Sequence, residues 1–129
     1  SLKKKFYVRA LKFKDDPSIW KPGKFRIIKV YHRRGLFSRD KLTLDIFIFY
    51  KSTLNETNEK VYKYGVWGRN AYYPENLLNE FKSLEFYNRT YSVPKHTEEF
   101  LSFKYGKDWR TPNQKWSTIL DDTSLDINN

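Results

Sequence analysis

The stretch Leu42 to Tyr50, LTLDIFIFY, constrains the fold more than any other part of the chain. Its side chains alternate, with Leu42, Leu44, Ile46, Ile48 and Tyr50 on one side and Thr43, Asp45, Phe47 and Phe49 on the other. That period of two belongs to a strand, and the β-branched and aromatic residues in it suit one. A single charge, Asp45, sits between Leu44 and Ile46. Burying a lone carboxylate is costly, so Asp45 must meet solvent, a cation, backbone donors or a metal.

The rest of the chain supplies short elements around this strand. KFRIIKVY, residues 24–31, reads as a second strand, and Arg33-Arg34-Gly35 turns the chain between the two. Upstream, Leu2, Phe6, Ala10 and Phe13 fit a short helix or an extended piece, ended by Asp15-Asp16-Pro17 and then Pro22-Gly23. Residues 51–60 form a polar surface insert, and VYKYGVWG reads as a strand closed by a glycine turn. ENLLNEF after Tyr73-Pro74 suits a turn or two of helix. Leu84–Tyr87 and Thr90–Val93 flank Asn88-Arg89 as a hairpin. Pro94 to Tyr105 is the best helix, with Thr97 as cap, Glu98 and Glu99 in the first turn, and Phe100, Leu101 and Tyr105 on a shared buried side. Gly106 stops it. The expectation is an α+β fold with one domain over residues 1–118 and a frayed acidic tail over 119–129. Its strands need outside partners.

Composition excludes several classes. Ten Phe, ten Tyr and four Trp among 129 residues are too many for a chain disordered throughout. No run reaches the roughly 18 apolar residues of a membrane-crossing helix. With no cysteine there is no disulfide scaffold, thiolate metal site or cysteine nucleophile. His32 and His96 lie far apart, without a second ligand at helical spacing, which argues against zinc.

The net charge is +10, and the acids Asp121, Asp122 and Asp126 are the only charges after residue 120. The preceding residues therefore carry 25 bases against 12 acids, or +13. Such an excess favours an anionic partner such as nucleic acid, phospholipid headgroups or phosphorylated substrates. Aromatic residues interleave with the densest basic stretches, around Lys3–Lys14 and Tyr31–Lys41. A basic module that binds nucleic acid or another polyanion without catalysis is therefore the alternative to an enzyme. Asn55-Glu56-Thr57 and Asn88-Arg89-Thr90 both match the N-glycosylation acceptor pattern.

Three stretches occur in an order with its own meaning. Leu44-Asp45-Ile46-Phe47 comes first, and Val93-Pro94 with Glu98-Glu99-Phe100-Leu101 follows about fifty residues later. Tyr105-Gly106-Lys107-Asp108-Trp109-Arg110-Thr111-Pro112 ends the set. This ordered set resembles the carboxy-terminal half of the LicD/fukutin family, over roughly residues 25–112. The resemblance implies an incomplete nucleotidyltransferase-like domain, with a mixed sheet and short flanking helices. It also implies transfer of phosphocholine or a polyol phosphate from a CDP-activated alcohol to a glycan acceptor, with Mg²⁺ or Mn²⁺. No specific nucleic acid partner is implied.

By the same resemblance, Asp45 matches the third acidic residue of the metal site, as metal ligand or as base toward the acceptor. Arg33, Arg34 and Arg110 would hold phosphate oxygens through their forked donors. Tyr105, Gly106, Asp108 and Trp109 match the family signature, in which Trp109 packs the turn down or stacks on a base. The family's upstream glycine-containing loop and closely spaced acidic run are not found in this sequence, since Asp15-Asp16 are adjacent and would point to opposite faces of a strand. The chain is therefore expected to be a fragment or truncated relative, inactive alone, with membrane association possible through a missing upstream segment. Family members act in the Golgi or secretory lumen of animals, and in the cytoplasm or at the membrane of bacteria.

Overall fold

The structure, a computed structural model, describes residues 6–13, 23–34 and 38–125, with the backbone alone for 33–34 and 38–43. The described residues form an α+β fold with eight strands and one α-helix. The strands are β1 (Phe6–Lys12), β2 (Phe25–Arg34), β3 (Ser38–Phe47), β4 (Tyr50–Thr53), β5 (Lys60–Val66), β6 (Arg69–Pro74), β7 (Phe81–Phe86) and β8 (Arg89–Pro94). A 3-10 turn at Glu75–Leu77 follows β6, and helix α1 (Thr97–Tyr105) follows β8. The strands group as β1-β2-β3, β4-β5-β6 and β7-β8. The described residues divide into two compact units, one of those up to residue 49 together with 64–70, the other of 50–63 and 71–125.

The first unit is built on the antiparallel sheet β1-β2-β3. β2 is its central strand, and its Ile27, Ile28 and Val30 suit that place. One face of the sheet lies over a small core in which Phe13, Ile27, Tyr64 and Val66 are buried. Phe47 and Phe49 pack on the Tyr64 ring at centroid distances of 5.7 and 4.9 Å. The approach is tight at Gly65, where an added Cβ would fall 2.4 Å from Phe13 Cε1 and 2.7 Å from Arg26 Cδ. Only hydrogen fits there. The other face carries Val8 opposite Val30 and Leu44, and Ala10 opposite Ile28 and Ile46. This apolar face is open to solvent, with Leu44 61% and Val8 58% exposed.

The second unit packs α1 against β6 through aromatic rings. Phe100 stacks on Tyr73 at 4.4 Å and 10°, and Phe103 meets Tyr72 edge-on at 6.0 Å. Val61, Ala71, Tyr73, Leu77 and Leu125 are buried. Thr97 is the first residue of the helix rather than its cap: His96 takes the cap position without a side-chain bond, and Thr97 Oγ1 instead donates back to the Pro94 carbonyl at 2.6 Å. Gly106 ends it with φ 87°, and its N–H donates to the Ser102 carbonyl at 2.9 Å.

Four further expectations need correction. Every sheet pairing described between β1 and β2, β2 and β3, β4 and β5, and β7 and β8 is antiparallel, so the sheet is not mixed. The packed side of α1 uses Phe100 and Phe103, while Tyr105 is exposed at the helix end, because the rings of Tyr72 and Tyr73 set which face turns inward. The hairpin turn falls one residue earlier, at Tyr87-Asn88, both at positive φ.

The acidic tail is packed rather than frayed up to residue 125. Leu125 bridges Ala71, the Tyr72 N–H donates to the Ser124 carbonyl at 2.8 Å, and Asp122 and Ser124 are buried. The buried Asp122 carboxylate accepts from Lys104 Nζ at 2.5 Å and from the N–H and hydroxyl of Ser124 at 3.0 and 2.6 Å. Those bonds are what allow a charged segment into the interior.

Candidate functional site

Asp45 stands directly opposite Lys29 in the β2–β3 register. Lys29 Nζ donates to both carboxylate oxygens, at 3.0 and 2.8 Å. The pair is partly exposed, with side-chain accessibilities of 29% for Lys29 and 34% for Asp45. Strand alternation puts Asp45 on the face of Ile27 and Phe47, away from the open apolar face of Leu44 and Ile46. Of the fates open to this carboxylate, the fold supplies a cation and contact with water.

The pair lines a cleft of about 620 Å³ within the first unit. Its walls hold four cations, Lys12, Arg26, Lys29 and Arg69, and the three rings of Phe13, Phe47 and Trp67. Among the described residues that line it, Asp45 is the only acid. Trp67 is 74% exposed, because Trp67 and Gly68 occupy the two central positions of the β5–β6 turn at φ 50° and 75°. Arg26 lies against Gly65, so the glycine that lets Phe13 close the core also sets the position of this arginine stem. Four bases against one acid, with flat apolar walls, make a site for an anion that carries a planar or apolar group.

A divalent metal does not fit these residues alone. Asp45 is the sole acid among the described residues of the cleft, and its two oxygens are engaged by an ammonium group. Catalytic Mg²⁺ takes carboxylates and phosphate oxygens rather than a cationic cage. Among the described residues no group of three His, Cys, Asp or Glu side chains could hold a metal ion.

The residues after α1 singled out in the sequence build another pocket, within the second unit. Tyr105, Gly106, Asp108, Trp109 and Trp116 line a space of about 880 Å³ in the loop after α1. The Tyr105 and Trp116 rings lie 5.0 Å apart. The buried Trp116 indole N–H has no acceptor among the described residues. Arg110 is spoken for: its guanidinium pairs with Glu98 and lies 4.8 Å over the Trp109 ring. This clamp holds the loop to the start of α1 and leaves fewer donors for phosphate.

Arg33 and Arg34 close β2, and their side chains lie outside the described residues, as do Asp15 and Asp16. Asn55 is exposed in the turn after β4, and Asn88 is exposed at the β7–β8 turn. Sequence reasoning missed Lys29, Arg26, Lys12, Arg69 and Trp67. Alternation alone held no signal for Lys29: the register at the hairpin end, Arg34 opposite Ser38, would set it against Thr43, and the register shift between Tyr31 and Arg33 brings it opposite Asp45.

Comparison with protein-family models, curated proteins and solved structures gives no match.

Proposed function

We propose that this chain is the carboxy-terminal part of a LicD/fukutin-like transferase, in a nucleotidyltransferase-like fold, whose β1–β3 cleft receives the phosphate portion of a CDP-activated alcohol. One observation carries the reading: Asp45, the residue matched to the family site, lies in an open cleft with four cations and three aromatic rings rather than in a sealed core. The exposed apolar face of Val8, Leu44 and Ile46 supports the view that this sheet belongs to a larger assembly.

In this reading Arg26 and Arg69 take phosphate oxygens with paired N–H donors, and Lys12 adds a point charge. Trp67 supplies a face for the base or the alcohol. Lys29, bonded to both carboxylate oxygens, orients Asp45 at the cleft wall. Asp45 there accepts the proton of the attacking glycan hydroxyl as the hydroxyl bonds to phosphorus and CMP departs. The Mg²⁺ or Mn²⁺ expected of the complete enzyme would have to draw its ligands from outside the described residues, and no step is assigned to it. The signature pocket packs the loop after α1. The family's places of work, the Golgi or secretory lumen of animals and the cytoplasm or membrane of bacteria, come with the reading.

The test is transfer from CDP-choline and CDP-ribitol to glycan acceptors by the full-length natural protein, together with calorimetry of CDP-choline on the chain itself. The expected results are binding that falls about tenfold or more in Arg26→Ala and Arg69→Ala, as loss of a charge-assisted contact implies, and loss of turnover in Asp45→Asn. Normal turnover in Asp45→Asn would remove the catalytic assignment. Tight, salt-steep binding of a short oligonucleotide with no response to CDP-choline would replace the reading with that of a polyanion-binding module.

A further inference from the structure

The β7–β8 hairpin exposes apolar rings that no described residue covers. All twelve residues of its two strands are exposed except Val93 and Pro94, which are half-buried. Phe86 is 59% exposed and Tyr87 is 84% exposed, and their rings meet edge to face at 4.5 Å. A two-stranded hairpin without a partner is marginal in water. Something must lie on this tip, or the rings are a liability.

The turn itself names the occupant. Tyr87 and Asn88 hold its two central positions at φ 48° and 57°, a two-residue turn of type I′ that asparagine tolerates well. Asn88 therefore stands at the tip, directly after Tyr87 and two residues after Phe86, and Asn88-Arg89-Thr90 is an N-glycosylation acceptor. The described residues engage neither side chain of this acceptor, whereas in Asn55-Glu56-Thr57 the Thr57 hydroxyl already accepts from the Glu59 N–H at 3.3 Å. Asn55 also has no aromatic residue within the two positions before it.

We propose that Asn88 is an N-glycosylation site whose first N-acetylglucosamine lies on Phe86 and Tyr87 and so becomes the cover of the hairpin tip. In the modification, Asn88 Nδ2 attacks C1 of the first sugar of a lipid-diphosphate-linked oligosaccharide. The N–C1 bond forms, the C1–O bond to the lipid diphosphate breaks, and the amide gives up one proton to the transferring enzyme. The sugar's apolar C–H face then meets the electron-rich ring faces, and its hydroxyls stay in water. This inference requires passage through a secretory lumen and does not depend on the transferase chemistry.

The test is to secrete the chain from a eukaryotic cell behind a cleavable signal, map its glycopeptides, and trim the glycan to one N-acetylglucosamine. Asn88 is expected to carry the sugar. The trimmed chain should melt a few degrees above its Thr90→Ala counterpart, which cannot be modified there. In Phe86→Ala and in Tyr87→Ala, two exposed sites where folding is not at stake, that gain should shrink or vanish. An unmodified Asn88 in the secreted chain would overturn the proposal. So would the same gain in melting temperature with both rings removed. Turnover is not read, so a failed transferase assay leaves the outcome unaffected.

Discussion

Two lysine–aspartate pairs, Lys104–Asp122 and Lys29–Asp45, put the same chemistry into opposite surroundings. Asp122 has no exposed side-chain surface and Lys104 has 19%, while Lys29 and Asp45 keep 29% and 34%. Asp122 also takes two bonds from Ser124, and the segment that carries it is tied to β6 by the Tyr72–Ser124 bond and the Ala71–Leu125 bridge. The pair on β2 and β3 has water within reach and neighbours of one sign. A buried pair fastens two segments together and is costly to break. A half-exposed pair can exchange its partner, which is what a binding site needs.

The sharpest way to break this comparison is Asp122→Ala, which removes the buried carboxylate that holds Lys104 and both Ser124 donors. It should cost about 3–5 kcal/mol, as for other half-removed buried pairs, read as a loss of melting temperature or denaturant midpoint. A cost no larger than that of Asp45→Ala would show the two pairs to be equivalent. Gly65→Ala comes next. A methyl group forced against Phe13 and Arg26 should cost about 1–3 kcal/mol as overpacking, and it should weaken anion binding because it displaces Arg26 from the cleft wall. Unfolding in urea and calorimetry on the same variant separate the two effects.

Smaller effects sharpen the contrast. Ser124→Ala removes the 2.6 Å hydroxyl bond to Asp122 and should cost about 1–2 kcal/mol, as for a bond to a buried charge. Asp45→Ala should change stability by about 1 kcal/mol or less, the range of exposed pairs, while it alters what the cleft binds. The smallest effect belongs to Glu80, whose carboxyl is held below its usual value by the Lys95 ammonium bonded to it at 2.5 Å. Its small contribution is present above the ordinary glutamate pKa and is lost as pH falls through the lowered value. Both members are half-exposed, so salt should erase it. A pH titration of melting temperature with Glu80→Gln as reference measures this.

Part of this was legible in the sequence. Alternation identified β2 and β3, and Glu98, Glu99 and Gly106 marked the ends of α1, because those signals depend on residues close in the chain. Asp45 stood out as a charge that needed an answer. The answer did not, since Lys29 lies sixteen positions away and meets it only through strand register. The tail misled for a related reason. Asp121, Asp122, Thr123 and Ser124 have the composition of a solvated end, and polarity alone does not reveal a lysine waiting on a helix eighteen positions before Asp122. The cleft was hidden too, because Lys12, Arg26 and Arg69 come from three separate strands and look like scattered surface charge.

Trp67 gives the cleft a consequence of its own. An indole that is 74% exposed emits at long wavelength and is readily quenched by iodide, whereas an indole covered by a bound anion's planar group does neither to the same degree. With the other three tryptophans replaced by phenylalanine, the remaining emission would report occupancy of that one cleft directly, so candidate ligands can be ranked by colour shift without any label.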